Sequence, residues 1–243
     1  MAAPAIVELT NEPLGQLLEQ VHDGRIQVPE FQRAVIWDDE GVRLLLASVS
    51  QSYPIGAVKL LQAGSSELRF ECQPVAGAPP SSVEPERLLL DGQHRIAALY
   101  QVLASDRVVP IHDAEQKLTH RWYHVDIRAA LDPDADRDDA IVSDSEAREE
   151  LEWQDCLFPL RLVFGAPGEL RRWQRGFTER GADRGPLLAR FEHEVVAAFK
   201  GYVLPTINVG REWTRWAVRV HGGRDGRSLS DRFRVATPDP DRG

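Results

Sequence analysis

The chain has 243 residues, 42% hydrophobic and 28% charged, the balance of a soluble globular protein long enough for a full core. A formal net charge of −9 argues against a protein that binds nucleic acid over its whole surface, since that affinity comes largely from neutralised phosphates. No run reaches the roughly 18 apolar residues of a membrane span, and Met1-Ala2-Ala3-Pro4-Ala5 lacks the basic start of a secretory signal. Cys72 and Cys156 are far apart and not at metal-ligand spacing, so they read as reduced and buried in a cytoplasmic protein, too distant to bridge.

Asn11 is placed to cap a first helix carrying Leu14, Leu17, Leu18 and Val21, which ends near Gly24. Asp23-Gly24 then turns into an extended Ile26–Pro29 segment. Val42, Leu45, Leu46 and Val49 recur at i, i+3, i+4 and i+7 and predict an amphipathic helix from Asp38 to Ser52. A strand follows over 55–62, and Gly64-Ser65-Ser66 makes a hairpin with a second strand near 68–72 the expected arrangement. Gly77 to Ser82 reads as a loop, Leu88–Leu90 as a buried strand and Gly92–Ala104 as an apolar helix. Val108–Ile111 and Trp122–Ile127 look like strands closing the sheet. Asp132 to Ser145 is acidic enough to read as an exposed linker. Helical patterns dominate from Glu146, notably 169–179 and 186–201, before Tyr202–Val209 returns to strand.

This order predicts the α+β class, a small mixed sheet with packed helices. The expected organisation is a domain over 6–130, an acidic linker over 131–145, a mainly helical extension over 146–236 and a tail over 237–243.

The most informative stretch is Leu88-Leu89-Leu90-Asp91-Gly92-Gln93-His94-Arg95. A strand, a polar turn and a helix start aim backbone N–H groups and the positive helix end at one point, which suits a phosphate. Gly92 lets the backbone come close, while His94 and Arg95 add donors and charge. The plainer alternative is a strand–helix junction whose Asp91 only caps the helix.

Upstream lie Val28-Pro29-Glu30-Phe31-Gln32-Arg33, then Trp37, then Pro54-Ile55-Gly56. In this order, with the Asp91-Gly92-Gln93-His94-Arg95 turn, residues 6–105 resemble the N-terminal domain of GmrSD-type restriction proteins. They also look like a distant relative of the ParB and sulfiredoxin folds. The resemblance implies a ParB/sulfiredoxin-like nucleotide-binding domain that takes an NTP with Mg2+, often hydrolyses it, and gates a DNA-cutting module in defence against modified phage DNA. Asp91, Gly92, Gln93 and Arg95 match the family turn, and Gln32 and Arg33 match its upstream pair. His94 stands where a second Gln is usual, and Gln93 where sulfiredoxins carry their nucleophilic Cys, which excludes sulfinic-acid repair.

Two readings follow. In the first, Gln32, Arg33, Gly92, Gln93, His94 and Arg95 hold the nucleotide, and Asp91 is the catalytic group orienting a metal ion or the attacking water. No Walker-type lysine is present, Lys59 being the only nearby one, and the base is not specified. In the second, the chain keeps nucleotide or DNA binding without turnover and regulates a separate H-N-H nuclease, since no H-N-H motif follows here. A ParB-like DNA clamp is disfavoured by the acidic charge.

Other features are weaker. His120 and His124 have H-x3-H spacing but no Cys or Glu beside them, so no protein-held metal is expected. Trp153, Trp173, Trp213 and Trp216 read as core or interface residues before base-stacking ones. Phe31 lies in the motif region and is as well explained by packing as by DNA contact. Arginines from Arg171 through Arg234 give the last third a basic character that permits a local DNA-facing surface. Val218–Ser230 is a loose echo of a segment that follows the GmrSD-type domain, with His221 where Asn is usual.

Overall fold

The computed structural model describes residues 7–30, 37–63, 71–105, 108–113, 115, 117–146 and 149–210. Among the described residues ten strands form two sheets with packed helices, an α+β architecture. Among the described residues no helix is long and apolar enough to cross a membrane.

The first sheet has six strands in the order β1-β10-β3-β5-β2-β4: β1 (Val7–Pro13), β10 (Val203–Val209), β3 (Val58–Gln62), β5 (Arg87–Asp91), β2 (Ile26–Pro29) and β4 (Cys72–Pro74). It is mixed, with β10 parallel to β3 and β2 parallel to β5. The pleat divides adjacent leucines between its faces. Leu60 and Leu89 join the main core, while Leu61, Leu88 and Val209 form a separate small cluster. A strand apolar on both faces has no alternation to read, which is why Leu88-Leu89-Leu90 appears as a solid run.

Three helices pack on the main face: α1 (Leu14–His22), α2 (Asp39–Ser50) and α3 (Gln93–Leu103). The periodic residues of α2 are buried as expected, and Asp38 caps it by accepting the Gly41 N–H at 2.7 Å. Ile96, Leu99 and Leu103 are buried on α3. Each such side chain contributes about 1.5–3 kcal/mol when fully removed from water.

The first helix starts later than Asn11 implies. Asn11 lies inside β1, opposite Pro205 of β10, and α1 begins after Pro13. The strand partner comes from the far end of the described chain, so no local signal announces it. β10 and β5 flank β3 on its two sides and β4 pairs with β2; most of the second strand expected near 68–72 lies outside the described residues. The Gly64-Ser65-Ser66 turn itself lies outside the described residues.

The second sheet is built on β7 (Leu118–Asp126), which pairs with β6 (Val109–His112), β8 (Ile141–Asp144) and β9 (Leu157–Pro159). The expected linker thus contains a strand. Its Ala140 and Ile141 are buried, and Arg43 of α2 donates to the carbonyls of Ile141 and Asp138, both at 2.8 Å. Asp39 accepts from the Tyr123 hydroxyl and from Ser143, and burial with that carboxylate pushes the Tyr123 phenol well above its usual range. Acidic residues occupy the exposed turn, and a few apolar ones anchor it.

The last described third is helical, as the pattern predicts, with α4 (Ile127–Leu131) and α5 (Glu149–Gln154) before it. It comprises a 3-10 turn (Leu160–Leu162), α6 (Pro167–Thr178) and α7 (Arg184–Phe191). A π turn over 192–196 carries α7 into α8 (Ala197–Gly201). It is not a separate extension. Leu188, Phe191 and Phe199 share one core cluster with Leu14, Leu46 and Leu99, and β10 enters the middle of the first sheet. Among the expected features, the segment 218–230 and the 237–243 tail lie outside the described residues, as do Trp213 and Trp216.

Candidate functional site

The β5–α3 junction is a tight turn on one glycine. β5 ends at Asp91, Gly92 takes φ +86°, and α3 begins at Gln93. A Cβ at Gly92 would meet both Arg95 Nη2 and Val58 Cγ2 at 3.2 Å, so side-chain-free backbone is required by conformation and by space. Asp91 Oδ1 accepts the Gly92 N–H at 2.8 Å. That bond lies one residue outside the helix, and α3 has neither a side-chain cap nor an acidic residue in its first turn. Asp91 thus fastens the turn just ahead of the helix. The first N–H groups of a helix lack partners within it, and here no side chain of the helix offsets their positive end.

Gln93 and His94 flank the opening, the Gln93 amide nitrogen lying 3.3 Å from His94 Nε2. Both are half-buried, and Asp91 is exposed. Lys59 of β3 stands directly opposite Asp91 in the strand register.

Arg95 turns back toward the sheet. Its guanidinium donates to the Ile55 carbonyl and, at 3.0 Å, to the Ala57 carbonyl. Gly56 between them takes φ +87°, and a Cβ there would sit 2.6 Å from Arg95 Nη1. Arg95 thus joins two of the motifs read in the sequence, Pro54-Ile55-Gly56 and the polar turn. Tyr202, just before β10, closes the loop from the other side by donating to the Tyr53 carbonyl at 2.7 Å. Burial raises the Tyr202 phenol above its usual value, against an Ile55 backbone hydrogen bond and the Arg95 charge. Sequence reasoning missed Tyr202, and nothing beside it in the chain marks its role.

Sheet direction gathers the motifs further. β2 and β5 are parallel with Ile26 beside Arg87, so the end of Val28-Pro29 and the Asp91 end of β5 share one sheet edge. β3 runs antiparallel to β5, which brings the 54–57 loop to that same edge. Gln32 and Arg33, expected to complete the phosphate cradle, and Phe31 lie outside the described residues.

The other residues singled out are structural. His124 is buried in β7, its Nε2 3.3 Å from Glu152 Oε1, and Trp173 Nε1 donates to Glu152 Oε2 at 3.1 Å. Trp173 packs between Phe158 and Phe177, with ring centroids 5.1 Å from each. Trp153 lies under the Arg180 guanidinium, 4.1 Å from its ring centroid. Neither cysteine is in a disulfide; Cys156 is buried and Cys72 only half so.

A family model described as the GmrSD restriction endonuclease N-terminal domain matches residues 14–159, more than half of the 243-residue chain. The match runs from α1 through β9, taking in the acidic turn and the second sheet. No curated protein matches the chain. The chain belongs to the GmrSD restriction endonuclease N-terminal domain family.

Proposed function

We propose that this member of the family binds a nucleoside triphosphate with Mg2+ at the β5–α3 turn and hydrolyses it. It then serves as the nucleotide-dependent sensor of a restriction system directed at modified phage DNA, acting with a separate H-N-H nuclease subunit. The observation that carries this reading is the meeting of the polar turn, the 54–57 loop and the end of β2 at one sheet edge, at the start of α3. Ligands of open sheets bind outside strand ends for the same reason, because backbone N–H groups and helix dipoles point there.

The residues fit such a ligand. Gly92 gives the turn its left-handed conformation, and the amides of Gln93, His94 and Arg95 lie in the first helical turn. Two of the five N–H groups of Arg95 are engaged by the loop carbonyls, so its charge is held in position while it contributes to the cradle. Gln32 and Arg33 complete the nucleotide-binding set. Asp91 supplies a hard carboxylate oxygen of the kind Mg2+ takes, and orients the metal or the attacking water. The metal's contribution is to neutralise charge on the transferring phosphoryl group. No covalent intermediate on the protein is required.

The test is calorimetry with each NTP and Mg2+, paired with phosphate release in the presence and absence of modified DNA. Wild type binds at least one NTP. Arg95→Ala weakens binding roughly tenfold or more, the equivalent of a lost charge-assisted contact of about 1.5–3 kcal/mol. Asp91→Ala impairs turnover more than binding. Absence of NTP binding by wild type, or unchanged affinity in a folded Arg95→Ala protein, sinks the assignment. Binding without phosphate release identifies the regulatory module in place of the hydrolase.

A further inference from the structure

A cleft of about 280 Å3 opens at the opposite end of α3 from the polar turn. The eleven residues of α3 separate the two by roughly 16 Å at 1.5 Å per residue. Distant parts of the chain build the cleft: His22 ends α1, Tyr100 and Ser105 lie at the end of α3, Arg161 sits in the 3-10 turn, and Glu169 belongs to the first turn of α6. Gly165 packs closely against the turn that carries Arg161. A Cβ at Gly165 would lie 2.6 Å from the Arg161 carbonyl oxygen.

The polar groups are held in place. Tyr100 is 2% exposed, and its hydroxyl lies 2.8 Å from His22 Nδ1, which fixes the imidazole and leaves Nε2 as its other polar atom. The Arg161 guanidinium lies 5.9 Å from the Trp122 ring centroid. Its Nη1 is buried and faces the Glu152 carboxylate at 3.8 Å, an ion-pair distance longer than a hydrogen bond, while the side chain, 22% exposed, lines the cleft. A planar guanidinium at a cleft wall is matched to the paired oxygens of a phosphate or carboxylate.

We propose that this cleft is a second ligand site, for a small hydroxylated organic anion. Arg161 and His22 take its anionic head, and Ser105 and Glu169 take its hydroxyl groups. The Glu169 carboxylate opposes a polyanion, and the volume lies just below the roughly 300–1,000 Å3 of sites for drug-sized ligands, so the occupant is compact. The site is separate from the turn proposed for the nucleotide and stands or falls independently of it.

The full chain is titrated with ribose 5-phosphate, gluconate and inorganic phosphate at constant ionic strength, by calorimetry and thermal shift. At least one of the two organic anions binds saturably, and which one it is tells a phosphate head from a carboxylate head. Arg161→Gln weakens that binding at least tenfold. Ala166→Trp, at an exposed position lining the cleft, abolishes it without disturbing the core. His94→Ala, at the other end of α3, leaves it unchanged. Failure of both organic anions to bind overturns the proposal, even if inorganic phosphate binds. So does binding that is lost in His94→Ala and kept in Ala166→Trp.

Discussion

The β5–α3 turn and the buried cluster around Glu152 hold polar groups in opposite ways. At the turn the backbone does the holding: a left-handed glycine, an uncapped helix start and an arginine anchored on loop carbonyls leave polar groups facing outward. Around Glu152 the side chains hold one another. The carboxylate is 1% exposed and meets His124, from β7, and Trp173, from α6. The first arrangement joins one short turn to one loop and leaves polar groups at the surface. The second is assembled from distant segments, and its carboxylate faces groups inside the fold.

Removing a member of the inward cluster has the larger expected effect. Glu152→Ala leaves the Trp173 N–H and His124 buried without their acceptor, and stability falls by about 3–5 kcal/mol in equilibrium denaturation. A loss below about 1 kcal/mol would show that the cluster contributes no more than surface groups do. The outward site responds more gently. Gly92→Ala forces an L residue to φ +86° at a cost of about 1–2 kcal/mol. It also displaces Arg95, so hydrogen exchange of the 54–57 amides accelerates while that of α6 does not. Equal acceleration in both would mean that the two regions are one mechanical unit.

The smallest effect concerns pH and a third arrangement, intermediate between the two. Glu12 on β1 receives a two-point contact from Arg87, at 2.7 and 2.8 Å. Burial alone would raise the Glu12 pKa. The Arg87 hydrogen bonds and charge, with Thr206 and Asn208, outweigh burial and hold it below its ordinary value of 4.5. A carboxylate with a lowered folded pKa contributes stability above its unfolded value, and that contribution is lost as pH falls through the folded one. Thermal melts of Glu12→Gln therefore lose part of the acid-side decline seen in wild type, while differing most from it near neutrality. Identical pH profiles would remove Glu12 from the account of how β1 is fastened to the sheet.

The amino-acid sequence by itself determined what depends on neighbours in the chain. The periodic apolar positions of α2 and α3, the Asp38 cap and the left-handed need for Gly92 follow from local sterics and hydrogen bonding. So does the α+β class, and the ordered motifs place the chain in its family. Tertiary structure decided what depends on pairing across long separations. Asn11 has the chemistry of a helix cap, yet β10 offers β1 a full antiparallel ladder, and a ladder of backbone hydrogen bonds outweighs one cap. The acidic 131–145 segment looks unable to fold by composition, yet Ala140 and Ile141 anchor it once β7 supplies an edge, while its acidic turn stays exposed. Arg95 reads as a free cation in its own motif, and only the return of the 54–57 loop beside it reveals that two carbonyls share its charge. Backbone conformation is chosen within a few residues, whereas burial and partner choice are settled by whatever the fold brings near.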